Sequence, residues 1–125
     1  MRINEFTNDS NQSDEIPNFL RFAKHELGIK SLPKLTLIAE PISNEVSNSF
    51  AAYSPTNKQI FLYTSDRHIL DICRSLCHEL VHYRQDLNNE LNDTAGQTGS
   101  PQENEANSVA GQIMRKYAKL HPELF

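Results

Sequence analysis

The sequence predicts a small α+β fold, in which helices and a short sheet come from separate stretches of the chain. Apolar residues recur at helical spacing in three segments, and three short runs of strand-like composition lie between the first and second of them. A length of 125 residues favours one domain, which is long enough to bury a core. We therefore expect a single domain over residues 13–125, after a flexible, Asn- and Ser-rich lead-in over residues 1–12.

The first helix is predicted over residues 14–27. Ser13 is expected to be its N-cap, and Gly28 fits its C-terminal cap. Three short strands are predicted next, over residues 34–39, 49–53 and 59–63. The turn-forming sequence at 54–57 predicts that the second and third strands form a hairpin.

Two longer helices complete the prediction, over residues 67–88 and 102–119. The first follows Thr64, Ser65 and Asp66, any of which can cap it. Its core face is expected to carry Ile69, Cys73, Leu76, Leu80 and Leu87. The apolar face of the last helix is expected to carry Ala106, Val109, Ala110, Ile113, Met114 and Tyr117.

Charge and hydropathy argue against several function classes. Twelve Lys and Arg against sixteen Asp and Glu give a formal net charge of −4, whereas contact with a phosphate backbone needs clustered positive charge. No apolar run approaches the ~20 residues that span a bilayer, and the N-terminal residues lack the apolar stretch of a secretory signal. Two cysteines are too few for a disulfide framework. We expect a cytoplasmic protein with no nucleic-acid and no membrane partner.

The helix predicted over residues 67–88 contains His-Glu-Leu-Val-His, the pattern HExxH. His78 and His82 are one turn apart, so both imidazoles can bind one Zn²⁺. Glu79 then lies beside the metal, where it can take a proton from bound water and return it to a leaving amine. The two histidines lie roughly opposite the apolar face, which favours a cleft over the alternative of two core histidines without a metal.

A catalytic zinc site needs a third protein ligand and an open position for water. Glu103 and Glu105, at the start of the last helix, are the candidates. Glu103 falls closer to the apolar face of that helix, and therefore to the neighbouring helix, whereas Glu105 points toward solvent. Either can instead be a first-turn glutamate that interacts with the helix dipole. We expect Glu103 to be the ligand, with Glu105 as the alternative.

The spacing of these residues resembles a known family. HExxH, twenty intervening residues and then Glu-x-x-x-Asn are similar to the gluzincin metallopeptidases, whose second motif is Glu-x-x-x-Asp on a following helix. In this resemblance Glu103 matches the metal glutamate, and Asn107 matches the Asp that braces the first zinc histidine, without its charge. The stretch ENEANSVAGQIM is similar to the ImmA/IrrE-like group, and the chain also resembles small zincin-like proteins of tailed bacteriophages. The motif-level resemblance covers residues 60–118.

The resemblance implies a minimal zincin-like domain that hydrolyses peptide bonds with narrow specificity for one protein partner. Such domains bind an extended substrate along an edge strand, here either strand of the hairpin; Ser49, Ala51 and Ala52 are small enough for its approach. Two ordinary packed strands remain the alternative. Among the tyrosines, Tyr53 is expected to help stabilise the oxyanion, because Tyr83 and Tyr117 lie on core faces.

A second function class stays open beside hydrolysis. The same residues can form a zinc-binding structural or interaction module without turnover, for example in a phage particle. The likeness to phage proteins accordingly allows a virion-associated protein as well as one in the cytoplasm of a bacterium or of an infected host cell. Glu79 favours the enzyme, because a structural site has no need of a base at that position.

Overall fold

The computed structural model describes residues 10–39, 50–92 and 99–124. Its elements are the helices α1 (Ser10–Leu27), α2 (Ile69–Leu87) and α3 (Pro101–Leu120), the strands β1 (Lys34–Ile38), β2 (Ala51–Ser54) and β3 (Gln59–Tyr63), and a short 3₁₀ helix (Pro122–Leu124). This arrangement confirms the predicted α+β class. None of the described helices is both long and apolar enough to span a membrane.

The strand β3 is the centre of the sheet. It pairs in parallel with β1 and antiparallel with β2, so that Leu62 lies opposite both Leu37 and Ala51. The predicted hairpin of β2 and β3 is confirmed, although β2 begins at Ala51 and extends to Ser54; Ser49 lies outside the described residues. Among the described strands, β2 pairs with β3 alone, so its second edge has no partner strand within the described ranges.

The core lies between the sheet and the three helices. Ile60 and Leu62 of β3 are fully buried because alternate strand residues face the helices. The helix α2 packs against α1, α3, β2 and β3, and buries Leu76 and Leu80 completely. At the other side of the core, the rings of Phe19 and Tyr117 meet edge to face at 4.9 Å between centroids.

The first helix begins earlier than predicted. It starts at Ser10, so Ser13 lies inside the helix and the expectation that it is the N-cap is wrong. The additional turn carries no apolar residue, so it leaves no trace in the apolar spacing. Residues 1–9 of the expected lead-in lie outside the described residues. At the other end Gly28 follows the helix with φ +69°, which confirms the predicted cap.

The second helix also differs from expectation at both ends. Its N-cap is His68, whose Nδ1 accepts a hydrogen bond from the backbone N–H of Leu70 at 3.1 Å, so none of residues 64–66 caps it. An imidazole nitrogen takes the place of the usual side-chain oxygen. Leu87 is 43% exposed instead of core-facing, because the helix ends there, beyond the elements that cover its apolar face.

Asp86 joins the hairpin to α2. Its Oδ2 accepts hydrogen bonds from the Tyr53 hydroxyl at 2.5 Å and from the Lys58 ammonium at 2.6 Å. Burial alone would raise the pKa of Asp86, but these two hydrogen bonds outweigh it and hold the pKa below its ordinary value. The ring of Tyr53 also packs edge-on against Tyr83, at 5.9 Å. These contacts fix the end of β2 over the C-terminal half of α2.

We expect Asp86→Asn to lower the free energy of unfolding by about 1–2 kcal/mol near neutral pH, because it removes a charge-assisted acceptor. A carboxylate with a depressed folded pKa stabilises the fold above its unfolded pKa of about 3.9, and this contribution is lost as the pH falls through the lower folded pKa. The difference from wild type should therefore shrink below about pH 4.

Urea unfolding at several pH values measures this effect, with Glu90→Gln as a charge-matched control at an exposed position just beyond α2. Equal stability of Asp86→Asn and wild type at neutral pH would contradict the role of Asp86. A difference that persisted unchanged at acid pH would contradict its electrostatic cause.

Candidate metal centre

The two histidines of the HExxH sequence lie on the face of α2 that turns toward α3. Their Nε2 atoms are 3.2 Å apart and their rings meet edge to face at 4.9 Å, as expected for side chains one turn apart. His82 is 8% exposed and His78 is half-buried. Leu76 and Leu80 occupy the core on the other side of the helix. The histidine pair faces a cleft in the structure, as the sequence predicts.

The carboxylate of Glu103 approaches both imidazoles from α3. Its Oε1 lies 2.8 Å from Nε2 of His78, and its Oε2 lies 3.1 Å from Nε2 of His82. Ser100 caps α3 by accepting a hydrogen bond from the backbone N–H of Glu103 at 3.1 Å, which fixes this residue in the first turn. Glu105 instead accepts a hydrogen bond from Gln85 Nε2 at 2.8 Å. Of the two candidate glutamates, Glu103 is the one in contact with the histidines.

The donor set fits a metal ion. Ligand atoms around a tetrahedral zinc with bonds of about 2.0–2.1 Å lie roughly 3.3 Å apart, close to the separations between these nitrogen and oxygen atoms. Two Nε2 lone pairs that face each other repel unless a cation or a proton lies between them. His78, Glu79 and His82 also offer ligand atoms that all lie within 4.8 Å of one another. This His-Glu-His cluster could hold a metal ion.

Gln85 orients the second histidine, and the sequence analysis did not identify it. Its Oε1 accepts a hydrogen bond from His82 Nδ1 at 2.8 Å, which directs the lone pair of Nε2 at the cluster. Its Nε2 donates to the backbone oxygen of Gln102 at 3.0 Å and to Glu105, so its amide orientation is determined by three partners. A buried glutamine one turn after a histidine of a metal motif is the signal that could have found it.

Asn107 lines the cavity beside the first histidine and raises the pKa of His78, at the position that the family resemblance assigns to a bracing Asp. Burial lowers the pKa of His78, while Glu103 and Asn107 oppose that change. The lowered pKa favours the neutral imidazole, which is the form that binds metals.

Glu79 is buried beside the histidines, with 8% of its surface exposed. It has no hydrogen bond with any residue in the described ranges. Burial raises the pKa of Glu79 to about 7, helped by the negative charge of Glu103 and opposed by His82. A carboxylate with such a pKa can both take up and release a proton near neutral pH.

These residues line a cavity of about 700 Å³ between the hairpin and the two long helices. The strand β2 and Phe50 form one wall, α2 forms the floor with the two histidines and Glu79, and α3 forms the other wall with Glu103 and Asn107. The side chains of Ala51 and Ala52 are small and leave space on the β2 side of the cavity. The volume is in the range of sites that bind small molecules or short peptide segments.

Tyr53 lines the same cavity, but its hydroxyl donates to Asp86, one turn beyond His82 on α2. No hydrogen bond between described residues joins it to the histidines or to Glu79. Burial raises the pKa of Tyr53, with a further contribution from Asp86, so it remains a protonated donor. An oxyanion role would require the hydroxyl to exchange Asp86 for the substrate.

Comparison of the chain with models of known families, with curated proteins and with solved structures finds no significant match. The nature of the site therefore rests on its own geometry. That geometry defines an open cleft whose floor carries a His-Glu-His cluster able to hold a metal ion, with a second glutamate in contact from a neighbouring helix.

Proposed function

We propose that the protein is a zinc-dependent peptidase of the gluzincin type. The observation that carries this proposal is the pair of glutamates at the histidines: Glu103 contacts both Nε2 atoms, while Glu79 stays buried beside them without a partner among the described residues. Two imidazoles and one carboxylate leave a fourth coordination position open, which is the ligand set of a catalytic zinc. The cavity gives a substrate access to that position.

Zinc held by His78, His82 and Glu103 would supply an activated water at neutral pH and polarise a peptide carbonyl. Glu79 takes the proton of the attacking water and then delivers it to the leaving nitrogen. Burial raises the pKa of Glu79 in the metal-free site and so strengthens it as a base, while the positive charge of a bound zinc would lower that pKa. No acyl-enzyme is formed, because the protein supplies a general base instead of a nucleophile.

The second candidate function is a zinc module without turnover. A structural zinc is normally closed by four protein ligands, and its stability gains nothing from an additional buried carboxylate. Glu79 lies in the cavity beside the histidines without a hydrogen-bond partner among the described residues, where a purely structural ion gives it no role. Its position in the cavity therefore favours catalysis over a structural role.

The proposed substrate is a protein segment in extended conformation. The edge of β2 that has no partner among the described strands borders the cavity, so an extended segment can pair with it and pass over the histidines. Ala51 and Ala52 give the substrate room on this wall. The resemblance to the ImmA/IrrE-like group supports a single protein partner, cleaved in the cytoplasm of a bacterium or of a phage-infected cell.

Glu79→Gln should retain zinc and lower the rate of peptide hydrolysis by roughly two to four orders of magnitude, because it removes the proton acceptor and leaves the proposed ligands intact. Elemental analysis measures the zinc, and mass spectrometry of a randomised octapeptide library measures cleavage. Glu123→Gln, at an exposed position of the C-terminal 3₁₀ helix that does not line the cavity, is the control and should cleave as wild type. Hydrolysis by Glu79→Gln at the wild-type rate, or a zinc-loaded wild type that cleaves nothing, would refute the proposal.

Glu103→Gln should weaken zinc affinity at least tenfold, because an amide oxygen is a weaker ligand than a carboxylate. Glu105→Gln should change the affinity little, since Glu105 contacts Gln85 and not the imidazoles. A competitive titration against a chromophoric chelator gives both affinities. A larger loss of zinc affinity in Glu105→Gln than in Glu103→Gln would make Glu105 the ligand. The four-residue spacing from Glu103 to Asn107 would then no longer assign Asn107 to His78.

A further inference from the structure

Two exposed arginines, Arg74 of α2 and Arg115 of α3, approach the same glycine of α3 near one end of the cleft. A Cβ built on Gly111 would lie 3.4 Å from Nη1 of Arg115 and 3.9 Å from Nη1 of Arg74. The two Nη1 atoms are therefore at most 7.3 Å apart. Gly111 is buried at the interface with α2, and its missing side chain leaves the space over which both guanidinium groups extend.

Neither guanidinium is neutralised. Arg74 and Arg115 have no ion pair and no hydrogen bond with any residue in the part of the chain that the structure describes. Two unpaired like charges within this distance repel each other, in a chain whose acidic residues outnumber its basic ones. Arg74 also lines the cavity of the candidate metal centre, one turn before His78. Arg74 therefore presents its charge to the cleft, and Arg115 adds a second charge beside it at the exposed rim.

The contacts of β2 with α2 give the direction of the cleft. At the start of the strand, the Arg67 guanidinium covers the ring of Phe50 at 4.4 Å and donates to Ser75 Oγ at 2.6 Å. At its end, Tyr53 donates to Asp86. The strand therefore runs in the same direction as α2. A peptide that pairs antiparallel with β2, the more stable pairing, places its C-terminal part at the end of the cleft that holds Arg74.

We propose that Arg74 and Arg115 form a carboxylate-binding subsite that selects substrates with an acidic group on the C-terminal side of the cleaved bond. The proposal rests on the proposed function and specifies its substrate class. A planar guanidinium binds a carboxylate through two parallel hydrogen bonds, and two such groups can share one carboxylate. The carboxylate belongs to an Asp or Glu side chain or to the free C-terminus of the substrate, which have the same chemistry.

The first experiment measures binding without turnover. Zinc-loaded Glu79→Gln protein is mixed with a randomised octapeptide library prepared both as free acids and as C-terminal amides, and the retained peptides are identified after ultrafiltration. Peptides with the recognised carboxylate should be enriched roughly tenfold, as expected for a charge-assisted contact. The enrichment should vanish when Arg74→Gln and Arg115→Gln are added, and persist when Arg21→Gln and Lys119→Gln remove two exposed charges elsewhere.

The two forms of the library identify the source of the carboxylate. Enrichment of Asp and Glu in both forms supports a side chain as the ligand, and enrichment confined to the free acids supports the chain end. Absence of enrichment overturns the proposal, as does an enrichment that survives the loss of both arginines.

Cleavage of the same library by zinc-loaded wild type separates this proposal from the proposed function. Hydrolysis with the acidic group on the C-terminal side of the cleaved bond supports the subsite. Hydrolysis without an acidic preference, or with the acidic group on the N-terminal side, overturns the subsite and leaves the peptidase standing. Binding that depends on both arginines without any hydrolysis supports the subsite, while the peptidase assignment fails.

Discussion

The contact of Glu103 with His78 and His82 is the interaction on which the candidate site depends. It joins the two longest helices at the border between the apolar core and the cleft. Small residues of α3, Ala106 and Ala110, are buried at this border and let the helix come close to α2. One carboxylate that faces two nitrogen atoms at hydrogen-bond distance makes a cation between them electrostatically favourable.

The surroundings hold these three side chains in place. Gln85 fixes the imidazole of His82 through a hydrogen bond, and Asn107 lines the cavity beside His78. The cap at Ser100 sets the first turn of α3. The strand β2 is anchored to α2 at both ends, through Arg67 at its start and Asp86 at its end. The cleft is thus bounded by elements whose relative positions are fixed by named contacts, as a site for oriented chemistry requires.

Much of this arrangement could be predicted from the sequence because it depends on the helical period and on the spacing of apolar residues along α2 and α3. The orientation of the histidine pair follows from the apolar spacing of α2, and the choice between Glu103 and Glu105 follows from their angles on α3. The remaining errors have local causes. The first turn of α1 is polar and α2 is capped by His68, so neither helix start could be read from the spacing of apolar residues. Leu87 is exposed because it lies at the end of α2, beyond the elements that cover the apolar face of the helix. The subsite formed by Arg74 and Arg115 depends on the packing of two helices, which spacing within either helix does not reveal.

The zinc content of the untagged protein, after equilibration with excess zinc and removal of the free metal, tests the metal site directly. Wild type should hold one zinc per chain and His82→Ala none, while the His25→Ala variant, which changes an exposed histidine of α1, should keep the full amount. Circular dichroism of each protein establishes that the fold is retained. Wild type that binds no zinc, or His82→Ala that binds as much as wild type, would show that the histidines and Glu103 do not form a zinc site.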